Sequence, residues 1–463
     1  MNKLIIQKEF FSYLTVFILT AIIAIPSYMS ISLFPFVVFI VGVIALLYRI
    51  SLGLAFFLIS IVASSDIAYN LGKEDSIGIS SIFTTSIGPI NLSVLWTLII
   101  VCFLFSKELK NRELDKRLFL ISSFLVVYSV LGVQYIGLQG SRWISDFAYF
   151  VNAICGITIV KYLIDTRYQP GISRLFEDTK LICMVFSSKM LIQTLHALYI
   201  LREFSFTNYL SESGIYLSCF FIPFVIVFRN KFKSNIVFYL CLFTPMLANF
   251  ISAARGRVII ILFSIIVTLV ILRKVKILIY IVPVVILSFF LVQSYAPEYF
   301  NYMLWKMTSF EIGGDSSQSS TVRFIEFVNI LMAHFEKGYS LLIGLGFGSY
   351  FDSTNYPFPF GLYGTGSYPD VWIQNDTFFK PHGSWQFIFM KFGLLGFLIV
   401  FAYLPILAYR KFVLLMSSST EKGIMLASLA SIIPLYLTNF TSKLQIMSAL
   451  IVGIIIYLKV NNE

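Results

Sequence analysis

The chain has 463 residues, of which 58% are hydrophobic and only 12% are charged. Soluble proteins carry about 25% charged residues, so this composition excludes a soluble globular protein and indicates an all-α polytopic membrane protein. The formal net charge of +11 raises the question of nucleic acid. The basic residues, however, lie between apolar runs, where they orient the chain and contact anionic lipid. We therefore expect membrane lipid, and no nucleic acid, among the partners.

Apolar runs close to the length that crosses a bilayer, about 20 residues, recur along the whole chain. Some are short, which sets the expected number of transmembrane helices at about 12–14. The first run follows a charged start and predicts a signal anchor rather than a cleaved signal peptide. The predicted spans are residues 10–26, 31–48, 51–64, 89–106, 117–138, 143–164, 180–201, 214–228, 235–254, 256–272, 276–294, 383–409, 423–438 and 442–458.

The distribution of Lys and Arg orients these spans. With the N-terminus in the cytoplasm, about two thirds of the basic residues fall on the cytoplasmic side, in agreement with the positive-inside rule. The C-terminus is then cytoplasmic as well. The predicted organisation is a membrane part at 1–294, a large external loop at 295–381 and C-terminal spans at 382–463.

The external loop differs in composition from the rest of the chain, with eight acidic and four basic residues. Its segment "STVRFIEFVNILMAHFEKG" has apolar residues at helical spacing and predicts an amphipathic helix. The following turn-rich segment is dense in aromatic residues, which argues against disorder. Connections of this length are usually functional when they are ordered. We expect the loop to form one wall of an active or binding site.

Four cationic residues are candidates for binding an anion or moving a proton. Arg255 and Arg257, in "SAARGR", stand at an outer helix end, where they either bind phosphate oxygens or extend along the membrane interface. Arg323 opens the predicted loop helix and is either a third such group or a solvated side chain. His382 precedes a span and can accept or donate a proton near neutral pH, or fill a structural role.

Two further patterns lie within or beside spans. Lys189, Gln193 and His196 form one polar stripe, because their spacing of four and three residues places them on one helix face. The stripe predicts a buried network or the wall of a polar cavity that binds substrate or ions. Arg142 and Asp146, four residues apart, predict a local ion pair.

Known catalytic motifs are missing from the chain. No HExxH, paired CxxC, GxSxG or Walker pattern occurs, and the loop carboxylates are scattered singly. The first external connection, "SYMSIS", has no carboxylate. We expect no metal site and no cofactor.

Four elements in order carry a resemblance to a known family. They are "SAARGR", the loop helix "SSTVRFIEFVNI", the glycine-rich "LLIGLGFGSYF" and "HGSWQFIFMKFGLLGFL". Residues 245–405 thereby resemble the O-antigen polymerase and ligase family of bacterial membrane glycosyltransferases. Gly383 stands where the family often has Asn, and Lys391 where it often has an acidic residue.

The resemblance implies a GT-C-like fold in the bacterial inner membrane, with the large loop periplasmic or extracellular. It implies metal-independent transfer of a glycan from an undecaprenyl-diphosphate-linked oligosaccharide. Arg255 and Arg323 would hold the diphosphate, and His382 would orient or deprotonate the acceptor hydroxyl or contact phosphate. Arg257, Lys189 and Gln193 are expected around the substrate, and Tyr363 and Trp372 of the loop would stack on sugar faces or pack in a core. A chain-length regulator and a flippase are the expected protein partners.

Several functions fit these elements. A polymerase of surface-polysaccharide repeat units is favoured, because such enzymes are low in charge and rich in aromatic residues. A ligase that transfers the glycan to lipid A–core uses the same residues. A lipid-linked oligosaccharide flippase or other transporter would suit the polar stripe, although no internal repeat of the kind common in transporters is evident. An inactive scaffold of a polysaccharide assembly is the remaining alternative.

Overall fold

The structure is a computed structural model, and most of the described chain is helical. Two short hairpins, β1 (Tyr69–Asn70) with β2 (Ser76–Ile77) and β3 (Ser86–Ile87) with β4 (Ile90–Asn91), are antiparallel. The described residues are 2–64, 69–70, 76–77, 80–88, 90–108, 115–168, 173–201, 217–251, 255–274, 318–358, 368–416, 419–437 and 442–458, with isolated positions between 276 and 301.

Three helical runs are long and apolar enough to cross a membrane by length and composition: Gln7–Tyr28, Gly140–Thr166 and Ser384–Leu414. Shorter apolar helices pack around them. The helices before the long loop are α1 (Asn2–Tyr28), α2 (Phe34–Tyr48), α3 (Ile50–Ala63), α4 (Leu92–Glu108), α5 (Lys116–Leu131), α6 (Ile136–Leu163), α7 (Ser173–Leu201), α8 (Ser218–Val227), α9 (Asn235–Ile251) and α10 (Arg255–Ile271).

The helices of the loop and the C-terminal part follow the predicted order. The loop contributes α11 (Gln318–Glu336), α12 (Ser340–Ile343) and α13 (Asp370–Gln374). The C-terminal part contains α14 (Ser384–Leu398), a π-helical turn (Ile399–Tyr403), α15 (Leu404–Leu414), α16 (Thr420–Tyr436) and α17 (Ser442–Tyr457). The amphipathic loop helix is confirmed as α11. The predicted span 276–294 lies almost entirely outside the described residues.

Small residues bring α6 and α17 close together. A Cβ built on Gly156 would lie 2.9 Å from the Ala449 Cβ, and one on Gly453 would lie 2.8 Å from the Val160 Cβ. From the first contact to the second, the residue number rises by four on both helices, so the helices run parallel. Close backbone approach at small residues is a common way to pack membrane helices.

Helix α14 is interrupted at Gly393, whose φ of 60° and ψ of −159° are not helical. The break leaves the carbonyls of Met390 and Lys391 without their ordinary helical donors. The glycine-rich segment supplies donors instead: the Leu345 amide lies 2.9 Å from the Met390 oxygen, and the Gly346 amide 3.1 Å from the Lys391 oxygen. The loop is thereby attached to α14 through its backbone.

The glycines of "GLGFG" are required by this attachment. Gly344, Gly346 and Gly348 all have positive φ, between 74° and 84°. A Cβ on Gly344 would lie 2.1 Å from the Lys391 oxygen. Other residues are strained in this left-handed region, and here they would also clash.

The loop region has a core of its own, separate from the large apolar core of the helical bundle. It joins α11 to the segments on either side of α13 and to the first turns of α14. Its buried members are Ile330, Leu345, Phe351, Phe358, Tyr368, Trp372, Phe378, Phe379, Phe387, Phe389 and Met390. This aromatic core fixes the backbone that leads to His382.

Candidate functional site

His382 lies in a short connection between the aromatic core of the loop and α14. The connection is held at its start by a two-way bridge between Phe351 and Phe378, with N–O distances of 3.1 and 2.9 Å. After His382, the Gly383 amide donates to the Gln386 side-chain oxygen at 3.1 Å. Both ends of the histidine are therefore fixed by hydrogen bonds.

Glu326 of α11 accepts hydrogen bonds from His382. The carboxylate is fully buried, and the His382 Nδ1 contacts its Oε1. The His382 backbone amide also lies 3.2 Å from each carboxylate oxygen. A buried carboxylate needs such donors, because an unpaired buried charge is costly. Glu326 thus fixes both the backbone and the ring of His382.

The contact with Glu326 determines what the other ring nitrogen can do. A neutral imidazole that donates Nδ1–H to a carboxylate carries its free lone pair on Nε2. The His382 side chain keeps 23% of its surface exposed. The arrangement supplies an oriented proton acceptor on a side chain that is partly exposed.

Tyr368 completes the surroundings of Glu326. Its hydroxyl donates to Glu326 Oε1, and its ring lies edge-on to the His382 imidazole with centroids 4.9 Å apart. Burial and the neighbouring carboxylate raise the pKa of Tyr368. The phenol therefore stays protonated and serves as a donor to Glu326.

Arg323 lies on the same helix, three residues before Glu326, and these positions share a helix face. Its side chain is exposed. Its carbonyl accepts a hydrogen bond of 2.7 Å from the Gln386 side chain, which ties the start of α11 to the first turn of α14. The structure therefore brings Arg323 and His382, both predicted site residues, to one junction of α11 and α14.

A second charged pair lies further along α14. Lys391 is fully buried and pairs with Asp146 of α6 at 2.7 Å. It also donates to the Ser349 carbonyl at 2.7 Å, and Asp146 accepts from the Gly348 amide at 2.8 Å. This pair attaches the end of the glycine-rich segment to α6 and α14.

The predicted ion pair between Arg142 and Asp146 is wrong, because Asp146 pairs with Lys391 instead. Arg142 is exposed, and its guanidinium lies over the Trp372 ring at 5.0 Å and near the Phe379 ring at 5.5 Å. The spacing of four residues on α6 predicted that Arg142 would pair with Asp146, but Asp146 pairs with Lys391 of α14. Trp372 itself is buried in the aromatic core, and its role in stacking on sugars stays a prediction.

Other predicted residues lie elsewhere. Lys189 and Gln193 are fully buried in α7 and hydrogen-bonded to each other at 3.1 Å. Helix α7 packs mainly on α1, α3 and α9. Such enclosure agrees better with a structural network than with a cavity wall, and their place in a substrate site stays a prediction.

Three predicted residues cannot be placed at the site. Arg255 and Arg257 begin α10, which packs on α8 and α16, but their side chains lie outside the described residues. Tyr363 also lies outside the described residues. Their proposed roles stay predictions.

Sequence reasoning missed Glu326 and Tyr368. Glu326 could have been recognised, because it follows Arg323 by three residues and occupies one of the positions of α11 at which apolar residues are expected. Tyr368 carried none, since it is one of many aromatic residues in the loop. Their contact with His382 depends on the fold of the whole loop.

No model of a known protein family matches this chain, and comparisons with characterised proteins and with solved structures also find no match.

Proposed function

We propose that this protein is a polymerase of surface-polysaccharide repeat units, embedded in the bacterial inner membrane with about 12–14 membrane helices in a GT-C-like arrangement. The observation that carries the proposal is the oriented His382–Glu326 pair beside Arg323, at the junction of α11 and α14. The order of motifs that resembles the O-antigen polymerase and ligase family supports the same function.

In the proposed reaction, an acceptor hydroxyl oxygen attacks the anomeric carbon of the donor glycan. The bond from that carbon to the undecaprenyl diphosphate oxygen breaks, and the diphosphate leaves as an anion. His382 Nε2 takes the hydroxyl proton, while Glu326 stabilises the imidazolium that forms. A carboxylate supports the histidine base of hydrolases in the same way.

Arg323 is proposed to stabilise the leaving diphosphate. Its guanidinium can bind phosphate oxygens through two parallel hydrogen bonds, and fixed cations at developing negative charge commonly supply much of the catalysis. Arg255 is proposed to share this role on the basis of the family resemblance alone.

The test is a reconstitution of the purified full-length protein with a lipid-linked repeat unit, in the presence of a chelator. A ladder of longer lipid-linked products is expected from the wild-type protein. Arg323→Ala and His382→Ala should abolish the ladder. Arg410→Ala, a change of another exposed arginine, within α15, is the matched control and should leave the ladder intact.

The alternatives give different results in the same experiment. Glycosylation of added lipid A–core, without a ladder, would identify a ligase. Movement of the lipid-linked substrate between leaflets without any new glycosidic bond would identify a flippase. An intact ladder from both Arg323→Ala and His382→Ala would contradict the proposed site.

A further inference from the structure

Beside the Glu326–His382 pair, cations lie on a connected row of aromatic rings. Tyr135 and Tyr350 have ring centroids 6.1 Å apart, Tyr350 and Phe379 5.7 Å, and Phe379 and Trp372 5.4 Å. We call this row and its cations the cation–aromatic face, which consists of Tyr135, Tyr149, Tyr350, Trp372 and Phe379 with Arg142, Lys337 and Lys380.

Each cation of the face lies against a ring. Arg142 covers Trp372 at 5.0 Å, and Lys337 lies 4.9 Å from the Tyr135 centroid and donates to its hydroxyl at 2.6 Å. Lys380 lies 5.7 Å from the Tyr149 centroid. Stacking on a ring holds a cation in place without neutralising its charge.

None of these three cations forms a salt bridge with a carboxylate in the part of the chain that the structure describes. Asp146, one helical turn from Arg142, is committed to Lys391. Asp370, close to Trp372 in the chain, makes no ion pair with Arg142. The face therefore carries positive charge that an external anion can balance.

The face adjoins the candidate site. The Trp372 ring contacts the Tyr368 ring at 6.1 Å, and the Tyr368 ring contacts His382 at 4.9 Å. Both rings are buried, so a saccharide with its reacting end at His382 would lie over them, against the exposed Arg142.

We propose that the cation–aromatic face binds the acidic groups of an anionic glycan, carboxylates or phosphates, so that it selects acidic repeat units. The assignment of the anion to a glycan rests on the proposed function. The spacing supports it, because the row of four rings has Lys337 at Tyr135, its first ring, and Arg142 at Trp372, its last. A lipid diphosphate would draw cations to one point, whereas charges repeated along a saccharide match separated cations.

The test measures binding to the full-length protein in nanodiscs of phosphatidylcholine. The probes are tetragalacturonate, neutral maltotetraose and inorganic diphosphate, and the readout is tryptophan fluorescence with calorimetry as a check. Tetragalacturonate should bind at least about tenfold more tightly than maltotetraose, because hydrogen bonds between ions are stronger than neutral ones. The preference should weaken at high salt.

Variants separate the face from general attraction. Arg142→Gln and Lys380→Gln should each weaken tetragalacturonate binding about tenfold, and Arg142→Lys should retain part of it. Arg410→Gln is the control. Its neighbour Lys411 donates to the Ile456 carbonyl, near the C-terminal end of α17. Helix α17 runs parallel to α6, and Arg142 lies near the N-terminal end of α6. Arg410 and Arg142 therefore lie at opposite ends of the helical bundle.

Equal binding of the acidic and neutral probes, or unchanged binding by both glutamine variants, would overturn the proposal. Tighter binding of diphosphate than of tetragalacturonate, with the same loss in Arg142→Gln, would overturn it in favour of the lipid carrier. Acid-selective binding without chain growth would support the face and overturn the polymerase. Chain growth without acid-selective binding would overturn the face alone.

Discussion

Two contacts with buried carboxylates connect α14 and the residues just before it to the rest of the protein, and they differ in access. Lys391 is fully buried, and its ammonium donates to Asp146 and to the Ser349 carbonyl. His382 also contacts a buried carboxylate, Glu326, but keeps 23% of its side chain exposed. The first pair is closed and attaches segments to one another. The second leaves a ring nitrogen available, so access rather than pairing distinguishes the candidate catalytic group.

The largest expected effect comes from changing the pair of Glu326 and His382. Glu326→Gln keeps the shape of the side chain but removes the charge that would stabilise a His382 imidazolium. We expect chain growth to fall by about 10²–10⁴-fold, the usual contribution of general acid–base catalysis. The check is the rate of ladder formation, with the folded fraction measured by size-exclusion chromatography.

The double variant Glu326→Gln/His382→Ala should be no slower than His382→Ala alone, because the two residues act as one unit. Losses that multiply would contradict the pairing.

Changing the pair of Asp146 and Lys391 should lower the stability of the folded protein. Asp146→Asn leaves the Lys391 ammonium buried without its carboxylate, a change that costs about 3–5 kcal/mol in comparable buried pairs. Thermal unfolding in detergent should show a large decrease in stability. Asp146→Asn combined with Lys391→Met removes the orphaned charge and should recover part of the loss. No recovery would show that the pair is not the source of the effect.

Tyr368→Phe should slow chain growth less than Glu326→Gln does. It removes one donor to Glu326 and keeps the ring against His382. The loss of a hydrogen bond to a charged group is worth about 1.5–3 kcal/mol, so we expect chain growth to slow by about 10–100-fold. Tyr356→Phe changes an exposed tyrosine of the same loop and serves as the control. Equal rates in the two variants would show that the Tyr368 hydroxyl does not matter.

The last prediction concerns the pH dependence of stability, through His334 of α11. Burial lowers the pKa of His334, which contacts the Ser340 hydroxyl at 3.0 Å, from 6.5 to about 4. The unfolded chain binds the proton first as the pH falls, so His334 should make the protein progressively less stable between pH 6.5 and about 4. His334→Gln should flatten thermal stability across this range. An unchanged pH dependence would contradict the assignment.

The helices could largely be predicted from the sequence, because a membrane span is set by the length of an apolar run. Helix α9, for example, begins at Asn235 as predicted, and the loop helix α11 lies within a few residues of its prediction. Local patterns were less reliable for side-chain contacts. The spacing of Arg142 and Asp146 predicted a pair that Lys391 displaced.

The candidate site could be predicted only in part. Arg323 and His382 were predicted from their residue type and their positions at predicted helix starts, and the resemblance of motifs supplied their roles. Glu326 was not, because its contact with His382 joins residues far apart in the chain, and no periodicity records such a contact. The break at Gly393 was also missed, since an apolar run conceals an interruption of its backbone hydrogen bonds.

The attachment of the glycine-rich segment to α14 has a consequence for biosynthesis. Leu345 and Gly346 donate to carbonyls of Met390 and Lys391, which are translated later. During synthesis the loop therefore stays incompletely attached until α14 has left the ribosome. A truncation before α14 should leave the loop sensitive to proteases, and an extension through α14 should protect it.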